Sequence, residues 1–369
     1  MGRNLLTGLI VHEWLEQHGG AEKVVEELLS TFESADLVSL WNDAPARFDS
    51  SRVSETWLAG TPLRRHKALA IPFMLSAWRR LPFANVDWIL CSSHLFAHHA
   101  RLVDADPEVR KYVYAYTPAR YIWNPDLDAR GGSMFTRIAS APLQLIDKKR
   151  AKEATSIVAI SNYVRARIQE HWQRECDVIY PPVEVEYFAS SKVKNLSSSE
   201  LAMLDQLPDD FVLGASRFIP YKRLDSAILC GEIAGLPVVL AGSGPEEARL
   251  RAIASQSSVP VHIVGSPSQP FLRELYARAN VFVFPPVEDF GIMPIEAMAA
   301  GTPVIGIARG GSLETIDDGR SGALVEEFTA GNIRAAMDAI SSIEPQDCVD
   351  QARKFDRSVF RQEMTNWVR

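Results

Sequence analysis

The stretch VFVFPPVEDFGIMPIEAMAAGTPVIGIARGG occupies residues 281–311 and predicts a strand, a helix and a second strand. The apolar run 281–284 has the length of a strand, and the two prolines that follow it cannot donate to a sheet ladder. From Pro294 the apolar residues follow the helical period as far as Gly301, a residue type common at helix exits. A second apolar run begins at Pro303. The segment therefore predicts a βαβ unit of an α/β protein.

Two glutamates of this stretch take positions where α/β proteins bind ligands. Glu288 follows the carboxyl end of a strand, and Glu296 falls in the first turn of the helix predicted from Pro294. Ligands of open α/β sheets bind in that crevice, and an ionised carboxylate accepts hydrogen bonds from two hydroxyls at once. The pair favours a ligand rich in hydroxyl groups. Acidic residues also occur at helix starts simply because they stabilise the helix dipole.

The run from Glu288 to Ile305, E-D-F-G-I-x-P-x-E-A-M-A-A-G-x-P-V-I, resembles the E-x7-E signature of retaining glycosyltransferases of family 4. The match has no gap and includes both glutamates. The resemblance implies the GT-B fold, in which two Rossmann-like α/β domains face each other across a cleft. It also implies transfer of a hexose, of mannose or glucose type, from a nucleotide diphosphate sugar such as GDP-mannose or a UDP-sugar.

Length and composition predict two globular domains. The chain has 369 residues, of which 47% are hydrophobic and 23% charged, a balance that supports large cores. Its four cysteines form no C-x-x-C pair, which favours a reducing compartment and argues against a zinc site. The apolar run 5–11 is too short for a signal peptide or a membrane span, so we expect a cytoplasmic protein.

Proline and serine clusters divide the alternating strand and helix patterns into two halves. The pair Pro181-Pro182 and the serine-rich stretch 190–199 mark the boundary. We expect an acceptor-side domain over 1–183 and a donor-binding domain over 184–351. The resemblance implies that a last helix within 352–369 packs back on the first domain. Strand patterns occur at 5–11, 36–41, 87–93, 111–116 and 154–161, and then at 211–215, 237–244 and 261–265.

Gly19 and Gly20 lie between the first predicted strand and a helix predicted over 21–32. Glycines at this point let the backbone approach a phosphate or a sugar, although the pair equally suits a tight turn. The position resembles the glycine loop of the same transferase family. That resemblance implies that both glycines contact the donor.

Arg217 and Lys222 follow the predicted strand 211–215 and are spaced to clamp a diphosphate. Arginine offers a planar fork and lysine a point charge, although a solvated basic turn would explain either residue alone. The run S-R-x-x-x-Y-K-R resembles the diphosphate pair of the family. With both cations on the leaving group, we expect neither a metal ion nor another cofactor. No G-x-G-x-x-G motif or P-loop is present, which argues against a dehydrogenase or a kinase.

The resemblance assigns the remaining donor contacts to the second half of the chain. The sugar hydroxyls would be held by Glu288 and by the backbone N–H groups of Phe290, Gly291 and Ile292. Glu296 would bind the ribose, and Gly265 would lie beside the nucleobase. No residue is placed as a covalent nucleophile. The expected reaction is therefore attack on the same face of the sugar through a short-lived ion pair.

The run YAYTPARYIWN, residues 114–124, resembles the Y-x-H-T-P-x-R-Y-x-W-D segment of bacterial polysaccharide-building members of the family. Two residues depart from it, because Tyr116 replaces a histidine and Asn124 replaces an aspartate. A phenol near its reference pKa of about 10 is a poor base at neutral pH. We therefore expect Tyr116 to hydrogen-bond the donor sugar and place it in the catalytic group with Glu288.

His94 and His98 follow the predicted strand 87–93 at a spacing that would place them on one helix face. A metal site would need a third ligand, and neither H-E-x-x-H nor a cysteine partner is present. We therefore expect a polar lining of the cleft and place His94 in the catalytic group. Glu13 and Arg120 are assigned to the acceptor side.

The segment 56–86 contains no acidic residue and mixes basic with apolar side chains. The net charge is +1 over residues 1–183, with 22 basic and 21 acidic residues, and −8 over the remainder. Five cations, Arg64, Arg65, Lys67, Arg79 and Arg80, predict peripheral contact with an anionic membrane and a lipid-linked acceptor. These cations fit equally well an amphipathic helix pair that keeps its basic face in water. Pro62, Pro72 and Pro82 would break such a pair into short pieces. No nucleic-acid-binding pattern appears.

Two other functions remain compatible with the sequence. One is a nucleotide-sugar epimerase of the same fold, although that function would not explain the E-x7-E loop. The other is a nucleotide-sugar-binding protein with weakened catalysis, which the Tyr116 departure favours. Donor hydrolysis or transfer by the purified protein separates them from a hexosyltransferase with a saccharide acceptor.

Overall fold

The computed structural model describes residues 7–17, 19–83, 85–103, 106, 108–123, 134–190 and 195–368, with the backbone alone over 134–140. Asn124 and the first two residues of the predicted strand 5–11 lie outside the described residues. The chain forms two compact units. Unit 1 comprises Met1–Pro182 and Phe360–Arg369, and unit 2 comprises Val183–Val359. The sequence had placed these boundaries after residues 183 and 351.

Unit 1 is built on a parallel sheet, because helical crossovers connect most of its successive strands. Among the described residues the sheet has seven strands in the order β3-β2-β1-β4-β5-β6-β7. The strands are β1 (Gly8–His12), β2 (Asp36–Ser39), β3 (Val53–Glu55), β4 (Trp88–Ser93), β5 (Arg110–Ala115), β6 (Ser156–Ala159) and β7 (Asp177–Val178). The helices are α1 (Gly20–Thr31), α2 (Lys67–Trp78), α3 (Arg120–Trp123), α4 (Met134–Ala151) and α5 (Asn162–Trp172).

The described residues of the basic segment 56–86 do not form the helix pair that was one of the two interpretations of its sequence. Two single 3-10 turns, Trp57–Gly60 and Pro62–Arg65, precede one continuous helix, α2. Pro72, expected to break the segment, lies inside α2. The buried side chains of Met74 and Trp78 anchor the helix beyond the proline. Tertiary packing thus outweighs the local cost of the missing N–H group.

Unit 2 repeats the parallel arrangement with six described strands in the order β10-β9-β8-β11-β12-β13. They are β8 (Val212–Ala215), β9 (Val238–Ala241), β10 (Val261–Val264), β11 (Val281–Phe284), β12 (Val304–Ile307) and β13 (Gly322–Val325). The helices are α6 (Val185–Ala189), α7 (Ser198–Leu204), α8 (Asp225–Ala234), α9 (Glu247–Ala254), α10 (Gln269–Arg278), α11 (Ile292–Ala299), α12 (Ser312–Thr315), α13 (Ala330–Ile340) and α14 (Pro345–Arg353). Inward-facing side chains such as Val283 and Ile305 are buried in its core.

The βαβ unit expected from residues 281–311 is confirmed as β11-α11-β12, with the two strands paired in parallel. The helix begins at Ile292 and not at Pro294. Gly291 precedes it with φ +97°, a left-handed conformation that glycine adopts without a Cβ clash. Because of the earlier start, Glu296 lies in the second helical turn and not in the first.

The last helix, α15 (Arg357–Trp367), begins in unit 2, and from Phe360 its residues belong to unit 1. The Phe360 ring packs edge-on against Tyr114 at 5.8 Å between centroids, and the Trp367 indole donates to Ser156 Oγ at 2.8 Å. Arg361 also pairs with Glu27 of α1. These contacts attach the end of the chain to the sheet of unit 1.

Each sheet has one point where the strand order reverses direction. In unit 1 that point lies between β1 and β4, and in unit 2 between β8 and β11. Open α/β sheets bind ligands at the carboxyl ends of the strands flanking this switch point. In the part of the chain that the structure describes, no helix is long and apolar enough to cross a membrane. All four cysteines are free thiols.

Candidate functional site

In unit 1, polar residues follow both strands that flank the switch point. His12 ends β1, Glu13 comes next, and His94 follows β4. His12 is buried, with its Nδ1 3.0 Å from the Ser92 carbonyl oxygen. Burial lowers the pKa of His12 to about 4, so the ring is neutral at physiological pH and Nδ1 donates to that carbonyl.

Glu13, assigned to the acceptor side from the sequence, is enclosed in the protein. None of its side chain is exposed. Its Oε1 accepts from the backbone N–H groups of His94, Leu95 and Ala97 at 3.1, 2.8 and 3.0 Å. Its Oε2 lies 3.1 Å from His94 Nδ1. Glu13 therefore joins the loop after β4 to the end of β1 and lies close to His94, and its place on the acceptor side stays a prediction.

Tyr116 follows β5 and contributes a hydrogen bond rather than a charge. Its hydroxyl lies 3.0 Å from Ser92 Oγ and 3.3 Å from the Ala21 carbonyl oxygen. Burial raises the pKa of Tyr116 far above its ordinary value. The sequence had assumed a phenol near its reference pKa, and that assumption was wrong. The correction strengthens the conclusion that Tyr116 is not a base.

Gly19 and Gly20 open α1 beside the Tyr116 hydroxyl. Gly19 is in extended backbone, and a Cβ there would lie 1.9 Å from Glu22 Oε2. Packing against Glu22 therefore explains the glycine, whereas its predicted contact with a donor stays a prediction. Arg120, assigned to the acceptor side, is the first residue of α3 and is half-buried.

His94 and His98 do not share a helix face, contrary to the sequence prediction. His94 lies in a bend against Glu13, whereas His98 belongs to the 3-10 turn Ala97–His99. His98 Nε2 lies 3.0 Å from Asp147 Oδ1. The chain turns too sharply after β4 for a helical spacing to apply, so the two rings contact different carboxylates.

Two groups of side chains bring three potential metal ligands together. They are His12, Glu13 and His94, and, separately, His98, His99 and Asp147. In the first group, Glu13 Oε1 and His12 Nδ1 are already bonded to the backbone. In the second, Asp147 Oδ2 accepts from two indole N–H groups at 2.7 and 2.6 Å, and burial lowers the pKa of His99 to about 3. Hydrogen bonds occupy part of each group, whereas Glu13 Oε2, His94 Nδ1 and His98 Nε2 have no hydrogen-bond partner among the described residues, and the expected absence of a metal ion stays a prediction.

In unit 2, the loops after the two strands at the switch point meet through Lys222 and Glu288. Lys222 ends the single 3-10 turn Pro220–Lys222 after β8, and Glu288 lies in the loop after β11. The ammonium group of Lys222 donates to Glu288 Oε1. The Lys222 side chain is 9% exposed and that of Glu288 26%. A cation and a carboxylate thus stand at the point where such sheets bind ligands.

Glycines 310 and 311 fix the backbone around Glu288. A Cβ at Gly310 would lie 2.5 Å from the Glu288 carbonyl oxygen, and one at Gly311 would lie 2.1 Å from that of Phe290. The Gly311 N–H donates to the Glu288 carbonyl at 2.8 Å. The loop that carries Glu288, Phe290 and Gly291 therefore depends on two glycines from the next strand–helix connection. Phe290 is buried, and Ile292 begins α11 directly behind the loop.

Glu296 is buried in α11, with 5% of its surface exposed. The Tyr276 hydroxyl of α10 lies 3.5 Å from Glu296 Oε2. Burial raises the pKa of Tyr276 well above its ordinary value, and the nearby Glu296 adds to this effect. Tyr276 therefore stays a neutral donor. Tyr276 is a site residue that the sequence did not identify, because it belongs to a different helix 20 positions away.

Arg217 and Gly265 lie in the loops at the carboxyl ends of β8 and β10, the two strands on either side of β9. Arg217 is exposed, and its guanidinium has no side-chain partner among the described residues. The Arg217 loop packs closely against Gly242 and Gly244 after β9. A Cβ at Gly242 would lie only 1.9 Å from the Ser216 carbonyl oxygen. The hydroxyls of Ser243 and Ser266 meet at 2.7 Å beside these loops. Neither serine was predicted from the sequence, where the only signal was their position next to Gly242 and Gly265.

Part of the second half of the chain is similar to one protein family. The family model described as "Glycosyl transferases group 1" matches residues 206–355. The match contains Arg217, Lys222, Glu288 and Glu296, and it begins soon after the start of unit 2.

Curated relatives match about half of the chain. A GDP-mannose-dependent alpha-(1-6)-phosphatidylinositol monomannoside mannosyltransferase of Mycobacterium tuberculosis is 28% identical over 207 residues, 51% of this chain and 53% of that protein. A D-inositol 3-phosphate glycosyltransferase of Mycobacterium avium is 29% identical over 208 residues, 52% of this chain and 46% of that protein. The chain thus spans about half the length of the curated relatives it matches.

A solved structure resembles the whole chain. The crystal structure of Anabaena Alr3699/HepE in complex with UDP gives a TM-score of 0.71 at 16% identity, over 98% of this chain and 99% of that one. At this identity the likeness shows the fold alone. The GT-B fold expected from the sequence is confirmed.

Proposed function

We propose, from the match of residues 206–355 to the group 1 glycosyl transferases, that the protein is a retaining hexosyltransferase of family 4 type. It moves a mannose- or glucose-type hexose from a nucleotide diphosphate sugar to a saccharide acceptor in polysaccharide or glycolipid synthesis. The mycobacterial mannosyltransferase favours GDP-mannose as donor, whereas the UDP bound by the Anabaena protein favours a UDP-sugar.

One observation carries the proposal, namely the pairing of Lys222 with Glu288 at the switch point of unit 2. A nucleotide sugar needs a cation for its diphosphate and a carboxylate for its sugar hydroxyls. Here the two groups already touch. The donor would replace the intramolecular ion pair with an ion pair between Lys222 and the diphosphate and with hydrogen bonds from the sugar hydroxyls to Glu288, so both charged groups keep a partner in a partly buried site.

The leaving diphosphate is neutralised by the protein itself in this proposal. Arg217 is exposed and Lys222 is nearly buried, and the amino end of α11 at Ile292 adds a favourable dipole. Positive groups aimed at the departing phosphate stabilise the charge that develops as the sugar leaves. We therefore propose that transfer needs no metal ion.

The acceptor is proposed to be lipid-linked, as the name of the Mycobacterium tuberculosis relative states for that protein. On unit 1, Trp57, Leu69 and Phe73 form a surface patch, with exposed fractions of 51%, 64% and 46%. The Trp57 and Phe73 rings contact each other edge-on at 6.5 Å. Exposed aromatic and aliphatic side chains next to cations suit the boundary of an anionic membrane.

Fewer unpaired cations surround this patch than the sequence suggested. Arg64 pairs with Asp43, Lys67 with Glu16, and Arg79 with Glu153. In the described part of the chain, only Arg65 and Arg80 of the five cations have no ion-pair partner. Since each unpaired cation near anionic lipid contributes about 1 kcal/mol, binding relies mostly on the apolar patch.

Co-sedimentation with anionic and neutral vesicles tests the membrane proposal. The wild type should sediment with anionic vesicles and less so at about 1 M salt, where the Debye length is about 3 Å. The double substitution Leu69→Ser and Phe73→Ser should abolish binding. Leu201→Ser, at an exposed leucine of unit 2, is the matched control. Equal recovery of all variants in the supernatant would contradict membrane contact and favour a soluble acceptor.

Calorimetry and turnover with purified protein test the function itself. The protein is titrated with GDP, with UDP and with the glucose and mannose derivatives of each. One nucleotide should be strongly preferred. The preferred sugar nucleotide should release its nucleoside diphosphate, and EDTA should not change that rate. Binding without any release would instead indicate a nucleotide-sugar-binding protein, and an epimerised sugar nucleotide would indicate an epimerase.

A further inference from the structure

Unit 1 contains a cavity of about 420 Å³ at the amino ends of its strands. The lining residues include Ile89, near the start of β4, and Lys111, near the start of β5. The switch-point crevice lies at the opposite, carboxyl ends of these strands. Because β4 has six residues and a strand rises about 3.3 Å per residue, the cavity and the crevice are roughly 15 Å apart. The cavity is therefore separate from the candidate site described above.

Three cations surround one carboxylate beside this cavity. The Arg79 guanidinium donates to Glu153 Oε2 at 2.5 Å, and that of Arg150 donates to Oε1 at 2.6 Å. The ammonium group of Lys111 lies 3.8 Å from Glu153 Oε2. Burial would raise the pKa of Glu153, but Arg79 and Arg150 outweigh burial and hold that pKa below its ordinary value. Glu153 is therefore ionised and balances one of the three positive charges.

Arg101 adds a fourth cation to the lining of the cavity. It is exposed, and its guanidinium has no ion-pair partner in the part of the chain that the structure describes. Asp106 is the second acidic residue of the lining, and it accepts from the Glu108 backbone N–H at 2.8 Å. Four cations thus stand against two carboxylates, which leaves an excess of two positive charges at the cavity.

Lys111 is the buried member of this group. Its side chain is 7% exposed, and its Nζ donates to the Ala100 carbonyl oxygen at 2.9 Å. The Glu153 oxygen at 3.8 Å is too distant for a hydrogen bond. An ammonium group has three N–H donors, so two of them lack an acceptor among the described residues. Burial lowers the pKa of Lys111 because the charged form is desolvated. An anion in the cavity would supply the acceptors and offset that desolvation.

From these contacts we propose that the cavity binds a phosphate-bearing anion through Lys111, Arg79 and Arg101. A phosphate monoester carries a charge of about −1.5 to −2 at neutral pH, which matches the excess of two cations. Its oxygens accept from the unused N–H groups of Lys111 and from the planar fork of Arg101. Apolar side chains such as Val109 line the remainder and contact the uncharged part of the ligand. This site is independent of the proposed transferase function.

Backbone amide NMR of the whole protein, titrated with glycerol 3-phosphate, locates the bound anion. The signals of Leu102 and Val109, both in the lining, should shift in a saturable manner. Lys111→Met should raise the apparent Kd at least about tenfold, because a buried charge-assisted contact is lost. Shifts confined to the loops at the two switch points would overturn the proposed site.

Arg101→Gln tests the site without disturbing a buried group. It should raise the apparent Kd about threefold, because exposed charges contribute less than buried ones. It also decides the matter if Lys111→Met, which leaves the Ala100 carbonyl without its partner, does not fold. Arg334→Gln, at an exposed arginine of unit 2, is the matched control and should bind like the wild type. Equal affinity of Arg101→Gln and the wild type would overturn the site.

A soluble phosphate ester and a lipid headgroup share this chemistry, and vesicles distinguish them. Co-sedimentation compares vesicles of phosphatidic acid and phosphatidylcholine with vesicles of phosphatidylcholine alone. If the cavity takes a headgroup, Arg101→Gln should sediment less with the anionic vesicles than Arg80→Gln, and glycerol 3-phosphate should release the wild type. If it takes a soluble ester, glycerol 3-phosphate should bind while Arg101→Gln and Arg80→Gln sediment alike. Absence of both glycerol 3-phosphate binding and an Arg101-specific effect on sedimentation would overturn the proposal.

Discussion

Lys222 and Glu288 form an ion pair that joins the loops after β8 and β11, the two strands flanking the switch point of unit 2. The lysine side chain is nearly buried and the carboxylate is about three times as exposed. A diphosphate would compete with Glu288 for the ammonium group, and a sugar hydroxyl would compete with Lys222 for the carboxylate. In the proposed transferase, the pair would therefore couple the binding of the diphosphate to the binding of the sugar.

Substitutions in this pair should affect nucleoside diphosphate affinity in opposite ways. Lys222→Met removes a charge-assisted contact of about 1.5–3 kcal/mol, so calorimetry should show binding weakened at least about tenfold. Glu288→Gln removes the competing carboxylate, so affinity should stay unchanged or improve. Lys354→Met, at an exposed lysine of unit 2, is the control. Equal weakening by the Lys222 and Glu288 substitutions would contradict the division of roles.

Glu296 should recognise the ribose of the nucleotide. Wild type should bind a nucleoside diphosphate more tightly than its 2′,3′-dideoxy analogue, because a carboxylate accepts from both ribose hydroxyls. Glu296→Gln should lose most of that preference, while Tyr276→Phe, which removes only the hydroxyl at 3.5 Å, should keep it. Competition calorimetry with the two nucleotides measures the difference. A preference that survives in Glu296→Gln would assign the ribose to other residues.

Tyr116→Phe should retain measurable transfer. Burial raises the pKa of this phenol, so its hydroxyl contributes hydrogen bonds to Ser92 and Ala21 and no proton transfer. Loss of such a bond should reduce the free energy of unfolding by about 1 kcal/mol. Tyr114→Phe is the matched control, because the Tyr114 hydroxyl donates to the Ile179 carbonyl at 3.0 Å. Complete loss of transfer in Tyr116→Phe alone would give the hydroxyl a chemical role.

The protein should lose stability as the pH falls below about 6.5. Burial lowers the pKa of His12 to about 4 and that of His99 to about 3, both from 6.5. The unfolded chain therefore binds protons that the folded state excludes. Compared with neutral pH, His12 and His99 should each reduce the free energy of unfolding by about 2 kcal/mol at about pH 5. Denaturant titrations at several pH values measure this. His12→Asn should flatten the dependence, and an equal slope in that variant would contradict the burial effect.

Local sequence patterns predicted much of the fold. β11, α11 and β12 are consecutive, and their apolar periods and flanking prolines and glycines determine them within a few residues. The contacts of Glu13 and Lys222 could not be predicted in this way. Glu13 bonds to N–H groups about 80 positions later, and Lys222 bonds to a carboxylate 66 positions away. Both contacts follow from the strand order, which places β1 beside β4 and β8 beside β11.

Other sequence predictions failed where tertiary packing overrides local preference. Pro72 is tolerated because the rest of α2 is anchored in the core. His94 and His98 separate because the chain bends after β4 instead of entering a helix. The sequence also did not indicate that the Glu13 carboxylate accepts hydrogen bonds from backbone groups of the loop after β4.

The stereochemistry of transfer is the most direct test of the proposed function. The purified protein is incubated with the sugar nucleotide that calorimetry identifies and with a saccharide acceptor, lipid-linked or free, and proton NMR determines the anomeric configuration of the product. We predict a glycoside with the anomeric configuration of the donor, formed by the wild type and absent with Glu288→Gln. A product of inverted configuration, or equal transfer by Glu288→Gln, would contradict a retaining transferase that depends on Glu288.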